Sequence, residues 1–201
     1  MVEHKIDLYR FKWELDKFKE KEIKENATLF YGSSTFAIWK DIEERFKDYN
    51  ALNFGFGGST SDEALYHYEE YAKPVHAKVL VWYNGDNEPV CGYTFEETKE
   101  LYLATWDKFL KDNPDTKIIV LGTKVSPARI EYKDYVLKLN AWVKEYAQTK
   151  DYITYIDTLD LCYDEKEFHL DNYLADQLHF SPKAYVTIAE RIEEVLKKYY
   201  K

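Results

Sequence analysis

Five short apolar runs, separated by stretches with helical spacing, constrain the fold of this chain more than any other feature. They are Thr28-Leu-Phe-Tyr31, Ala51-Leu-Asn-Phe54, Lys78-Val-Leu-Val-Trp-Tyr83, Lys117-Ile-Ile-Val-Leu-Gly122 and Tyr152-Ile-Thr-Tyr-Ile156. Near-continuous apolarity, rather than alternation, means that both faces of each strand are covered. The segments between the runs supply the cover, and strands joined through helices run parallel. The expected architecture is therefore α/β, with a five-stranded parallel sheet between two helical layers.

The expected helices run from about Ile6 to Lys24, from Ser33 through Ile38, Trp39, Ile42 and Phe46, and from Ser61 to Tyr71. Three more run from about Thr94 to Lys111, Tyr132 to Gln148 and Pro182 to Tyr200. No repeat, low-complexity tract or linker divides the 201 residues, so a single domain over 1–201 is expected, with residues 1–26 as a helical extension packed on it.

Charge narrows the partners. The net charge is −9, and cations such as those of Lys17-Phe-Lys-Glu-Lys21 alternate with acids, so no basic footprint for nucleic acid exists. No run reaches the roughly 18 uncharged apolar residues of a membrane span. The first residues, Met1 to Asp7, lack a basic segment followed by an apolar one, and Cys91 and Cys162 lack metal-type spacing. Free thiols and a cytoplasmic location are the expectation. A homo-oligomer is compatible with the sequence. The aromatic share of 17%, with 19 Tyr and 5 Trp, serves a core or the walls of a pocket equally well.

In open parallel sheets, sites form where strands end at their carboxyl side. Those ends here are Gly32-Ser-Ser34, Gly55 to Thr60, Asn84 to Glu88, Thr123 to Arg129 and the long stretch 157–181. Long irregular connections inside compact domains tend to carry function. Ser33 and Ser34 both stand where a strand breaks into a helix, as helix caps or as a nucleophile beside the helix amides. Asp176-Gln-Leu-His179 places a carboxylate within one turn of an imidazole, leaving the second ring nitrogen for a hydroxyl. His169 is the rival base; His4, His67 and His76 have no acid at useful spacing and read as surface residues. Asn84-Gly-Asp-Asn87-Glu88 is either a turn or a loop that aims the Asn87 amide at the site. A metal site of Asp86, Glu88, Asp176 and His179 is the competing arrangement, although no H-x-H, H-E-x-x-H or D-x-H pair occurs.

Taken together, these segments resemble the SGNH hydrolases, the GDSL-type esterase and lipase superfamily. The resemblance spans positions 30 to 182, with the blocks in the family's order. Gly32-Ser33-Ser34-Thr35 stands where Gly-Asp-Ser-Leu is usual, a Gly-Ser-Ser form the superfamily also contains. Asn53-Phe-Gly-Phe-Gly-Gly58 matches Asn-x-x-x-x-Gly, Gly85-Asp-Asn87-Glu88 matches Gly-x-Asn-Asp with Glu at the last position, and Asp176-Gln-Leu-His179 matches Asp-x-x-His.

The resemblance implies a flavodoxin-like three-layer α/β/α sandwich and ester hydrolysis through an acyl-enzyme. It implies Ser34 as nucleophile, His179 as base and Asp176 as its orienting acid. The Ser34 and Gly58 N–H groups and the Asn87 amide would form the oxyanion hole. No metal or other cofactor is needed. The expected partner is a small-molecule ester, of short acyl chain or acetylated on a carbohydrate. Trp39, Tyr83, Phe180 and Arg129 are the candidate substrate contacts, each equally able to serve the core or pair with an acid. A lysophospholipase or thioesterase, or a non-catalytic binding module, is the alternative.

Overall fold

The computed structural model describes residues 6–7 and 9–201. The five apolar runs form strands β1 (Thr28–Gly32), β2 (Ala51–Gly55), β3 (Val79–Tyr83), β4 (Lys117–Leu121) and β5 (Ile153–Ile156). All pair in parallel, in the order β2-β1-β3-β4-β5. The order reverses direction at β1, the point at which crevices open in sheets of this kind.

Alternate side chains of each strand enter different layers. Leu29, Tyr31 and Trp82 belong to one apolar cluster with Tyr102, Trp106 and Leu139, while Phe30 and Val81 belong to another with Ile188 and Ile192. Buried residues of this size each contribute about 1.5–3 kcal/mol, so the two layers are the main source of stability. The chain is thus a three-layer α/β/α sandwich.

The helices are α1 (Lys12–Asp16), α2 (Ser34–Ala37), α3 (Ile42–Arg45), α4 (Ser61–His67), α5 (Phe95–Asp112), α6 (Lys133–Gln148), α7 (Leu159–Cys162) and α8 (Pro182–Tyr199). Thr60 and Thr94 open α4 and α5 with capping boxes closed by Glu63 and Glu97. A π-helical turn, Tyr68–Ala72, extends α4 to the end expected for it. No helix among the described residues is long and apolar enough to cross a membrane.

Two expected helices are shorter than their periodicity suggested. The first covers only Lys12–Asp16 and a 3-10 turn, Lys17–Glu20. Its buried residues are Phe11, Leu15 and Phe18, and beyond Phe18 the run Lys19-Glu-Lys-Glu has no apolar face to hold a helix on the core. Leu8 and residues 1–5, His4 among them, lie outside the described residues. The helix expected from Ser33 to Phe46 is split into α2 and α3, because the Asn53 side-chain amide donates to the carbonyls of Phe36 (2.9 Å) and Trp39 (3.3 Å). Carbonyls taken by a side chain no longer propagate the helix ladder.

β1 ends on a residue that must be glycine. Gly32 has φ +144°, and a Cβ there would lie 1.9 Å from the Tyr83 carbonyl oxygen of β3. Gly32→Ala is expected to lower the stability by at least about 2 kcal/mol, measured by urea denaturation. A loss below about 0.5 kcal/mol would show that the β1–β3 contact relaxes freely.

Candidate active site

The ends of β1, β2 and β3 lie level, with Gly32 beside both Gly55 and Tyr83. The Ser33 N–H donates to the Tyr83 carbonyl (3.0 Å), the backbone turns at Ser33, and Ser34 becomes the first residue of α2. Its Oγ lies 3.0 Å from His179 Nε2, and His179 Nδ1 lies 2.7 Å from Asp176 Oδ2. Ser34 retains 9% exposure, whereas Ser33 beside it has none.

The loop before α8 is shaped to hold this pair. Asp176 Oδ1 accepts the N–H groups of Leu178 (2.9 Å) and His179 (3.0 Å), so the carboxylate organises its own turn while its other oxygen faces the imidazole. Gln177 sits at φ +54° at the tip, and its carbonyl accepts the Ala128 N–H from the neighbouring loop (3.1 Å). Burial opposes the charge of Asp176, but hydrogen bonds from the His179 ring and from the two amides hold its pKa down at about 2. An ionised carboxylate on Nδ1 fixes the tautomer that leaves Nε2 free to accept a proton from Ser34.

Two backbone amides at these strand ends lack a partner. Among the described residues neither the Ser34 N–H nor the Gly58 N–H has a hydrogen-bond acceptor. Gly58 has φ +78°, which turns its peptide at the end of the β2 loop. Asn87 lies beside them and is fully engaged. Its Nδ2 donates to Ser33 Oγ (2.7 Å) and the Ser59 carbonyl (2.9 Å), and its Oδ1 accepts from Arg129 Nη1 (2.9 Å). Ser33 is therefore a buried acceptor for Asn87, and Ser34 is the serine next to an imidazole.

Other candidates lie below or away from Ser34. Tyr83 is fully buried, with its hydroxyl 3.0 Å from Lys124 Nζ, so it supports the site from beneath rather than facing solvent. Trp39 stacks on Tyr185 (4.6 Å between ring centroids). With Phe180, Ile38, Leu174 and Pro182 these two line a groove of about 370 Å³ beside the His179 loop. Arg129 also donates to the Asp86 carbonyl, which ties the β4 loop to the β3 loop. His169 pairs with Asp164 (3.4 Å), away from Ser34. His67, read from sequence as a surface residue, is instead buried among Phe11, Phe56 and Tyr71.

Among the described residues no group of three His, Cys, Asp or Glu side chains converges, and Asp86 and Glu88 are engaged by partners other than Asp176 and His179. Asp86 pairs with Lys124, both essentially excluded from water, and Lys124 also reaches Thr35 Oγ1 (3.3 Å). Burial works against the charge of Asp86, but the ammonium beside it keeps its pKa below the ordinary carboxylate value. Glu88 accepts from the Ser61 N–H (2.8 Å), the Ser61 hydroxyl and the Gly85 N–H (2.8 Å), stapling the start of α4 to the β3 loop. Neither Lys124 nor Glu88 was singled out for this role from sequence. A lone cation in Gly122-Thr-Lys-Val125, immediately after an apolar strand, was the available signal.

A three-layer sandwich with a serine, an imidazole and a carboxylate on adjoining strand-end loops is an architecture of ester hydrolases. The sequence model of the GDSL-like Lipase/Acylhydrolase family matches residues 28–186, and this chain belongs to that family. Solved structures share the fold at low identity. A candidate acylhydrolase from Bacteroides fragilis superposes with a TM-score of 0.82 at 19% identity, covering 98% of this chain and 100% of that one. A GDSL-like lipase from Bacteroides thetaiotaomicron gives 0.80 at 19%, covering 96% and 99%. A carbohydrate esterase family 3 protein from Talaromyces cellulolyticus gives 0.64 at 12%, covering 87% and 98%. Among curated proteins, none matches this sequence.

Glu88 makes the network sensitive to pH. Burial raises its pKa from the ordinary 4.5 to about 7 against the pull of its Ser61 hydrogen bonds. The folded chain thus binds this proton more tightly than the unfolded one. The contribution is full below about pH 4.5 and is lost as pH rises through about 7. Wild-type urea midpoints are expected to fall between about pH 5 and about pH 7.5, and Glu88→Gln to lack that component. Identical falls in both proteins would show that Glu88 does not titrate in this range.

Proposed function

We propose that this chain is a serine-dependent carboxylic-ester hydrolase that works through an acyl-enzyme. The observation that carries the reading is the unbroken run of contacts from Asp176 through His179 to Ser34, at 2.7 and 3.0 Å. Ser34 Oγ attacks the ester carbonyl carbon as its proton passes to His179 Nε2. The negative charge gathering on the carbonyl oxygen falls to the Ser34 and Gly58 N–H groups and to the Asn87 amide. When the C–O bond to the leaving alcohol breaks, His179 returns its proton to that alcohol. Water then attacks the acyl-serine as His179 takes one of its protons; the bond to Ser34 Oγ breaks, His179 passes that proton to Oγ, and the carboxylic acid leaves and ionises in solvent. Asp176 stays ionised throughout, which its low pKa supports.

The substrate proposed is a small ester with a short acyl group, in the first instance an acetyl ester of a carbohydrate. The carbohydrate esterase among the structural relatives supports that class. A second reading, a longer acyl chain as in a lysophospholipase or thioesterase, is favoured by one feature. The groove of Ile38, Trp39, Leu174, Phe180, Pro182 and Tyr185 is mostly apolar and adjoins both α2 and the His179 loop. The Leu174 N–H donates to the His179 carbonyl (2.8 Å), which joins the wall of the groove to the His179 loop.

Hydrolysis of p-nitrophenyl acetate, butyrate and octanoate tests the proposal. Wild type is expected to turn over, with Ser34→Ala slower by about a thousandfold or more and unaffected by chelator. Ser33→Ala should retain most of the activity. Loss in Ser33→Ala with retention in Ser34→Ala would overturn the assignment. Preference for acetate supports the short-acyl reading, and rising kcat/KM toward octanoate supports the groove. Absence of turnover on all three, with ligand binding intact, would favour a binding module.

A further inference from the structure

The segment before β1 reaches into the oxyanion loop at the two peptides on either side of the one joining Gly57 to Gly58. The Gly57 N–H donates to Glu14 Oε2 (2.9 Å), and the Gly58 carbonyl accepts from Arg10 Nη2 (3.0 Å). Between these two bonds lies the Gly58 N–H, which has no acceptor among the described residues. The peptide carrying that N–H is therefore held from both sides, by a carboxylate on one neighbour and a guanidinium on the other. Arg10 Nη1 also contacts Glu63 Oε1 (3.3 Å), the capping-box acid of α4, which ties the same guanidinium to the rigid helix that follows the loop.

An apolar stripe anchors this segment on the domain. Phe11, Leu15 and Phe18 are buried at helical spacing. Phe11 packs edge-on against Phe56 at 5.1 Å, and Phe18 stacks on Phe54 at 4.4 Å. Phe54 and Phe56 flank Gly55 at the end of β2, immediately before Gly57 and Gly58. Hydrophobic anchoring fixes the segment, and the polar pair at Arg10 and Glu14 then sets the loop. Residues 10 to 18 lie outside the span matched by the family model.

We infer that the segment Arg10–Phe18 is a positioning strap for the oxyanion hole. Arg10 and Glu14 act through the loop, holding the Gly58 N–H at the point where charge develops, and touch no reacting atom. Free rotation of glycine peptides is what such a strap must suppress. Gly57 and Gly58 are consecutive, and two glycines give the loop the widest choice of backbone angles. A donor contributes to catalysis only when preorganised, and displacement by about 1 Å can cost a hundredfold in rate. The Arg10 guanidinium is 45% exposed in its pair with Glu63, which limits what it adds to folding, so the effect of these two residues should appear in turnover more than in folding.

The inference rests on Ser34 as nucleophile and Gly58 as oxyanion donor, and the test separates the two. Arg10→Ala, Glu14→Ala, their double variant and Glu14→Gln are assayed on p-nitrophenyl acetate beside Ser34→Ala. Rates are normalised to the serines that react with a fluorophosphonate, and the folded fraction is followed by circular dichroism. The double variant is expected to keep its fold and its KM within about twofold, while kcat per reactive serine falls about ten- to hundredfold. Glu14→Gln, which keeps an acceptor for the Gly57 N–H, should recover most of that loss. Unchanged kcat per reactive serine in the double variant, with Ser34→Ala inactive, overturns the strap and leaves the hydrolase reading intact. A fall in reactive fraction or thermal stability alone also overturns it, since that is the signature of a merely structural role. Activity surviving in Ser34→Ala would instead remove the reading on which the strap depends.

Discussion

The close approach of Gly32 to the Tyr83 carbonyl is the constraint on which the site depends. β1 and β3 can sit in register to their last residues only because no side chain separates them there. That register makes the loops after β1, β2 and β3 begin at one level, so Asn87 reaches both Ser33 and Ser59 although more than fifty positions separate it from the first. The Ser33 N–H on Tyr83 continues the ladder by one residue and leaves the Ser34 N–H as the first amide without a partner. A parallel sheet thus delivers an unpaired amide, a hydroxyl and the start of a helix at one spot.

Side chains then fasten these loops to one another. Asn87 joins Ser33 to Ser59, Glu88 joins Gly85 to Ser61, Asn53 ends α2, and Arg129 joins the β4 loop to Asp86 and Asn87. Each neutral bond is worth only about 1 kcal/mol net, but leaving one buried partner unpaired costs about 1–3 kcal/mol. The network therefore selects one loop arrangement more than it adds stability. The Lys124–Asp86 pair is the most demanding member. Removing one partner of such a buried pair costs about 3–5 kcal/mol through the charge left behind, while the intact pair gives little net gain.

The sheet, its parallel sense and most helix limits were legible because they follow from period and capping, which are local. Thr94 with Glu97, and Pro182 at the head of α8, mark helix starts in the sequence itself. The Asp176–His179 pair was legible for the same reason, since three residues of turn bring it together. What could not be read were contacts whose partners are distant in sequence. Asn53 cutting α2 short depends on a strand seventeen residues away from Phe36. Tyr83 and Trp39 looked like pocket walls because aromatic side chains serve a core and a cleft equally well. Burial decided between the two uses, turning Tyr83 inward and leaving Trp39 only an edge on the groove. His67 was misplaced for a related reason. Phe11, Phe56 and Tyr71 surround its ring with aromatic edges and faces that accept a neutral imidazole, and burial lowers its pKa accordingly.

Serine at position 33, where the superfamily usually carries aspartate, changes the energetics of Asn87. A carboxylate accepting from the Asn87 amide would form a charge-assisted bond worth about 1.5–3 kcal/mol, against about 0.5–1.5 kcal/mol for a neutral hydroxyl. It would also add a charge at a position with no exposure. With Ser33 the amide is held by a neutral partner at 2.7 Å while its carbonyl oxygen leans on the Arg129 guanidinium. In the proposed mechanism the substrate carbonyl is a neutral acceptor and competes poorly with Ser33. The oxyanion carries charge and competes well. The contact at Asn87 then strengthens mainly as the tetrahedral intermediate forms, and an interaction made more strongly there than in the ground state is one that accelerates the reaction.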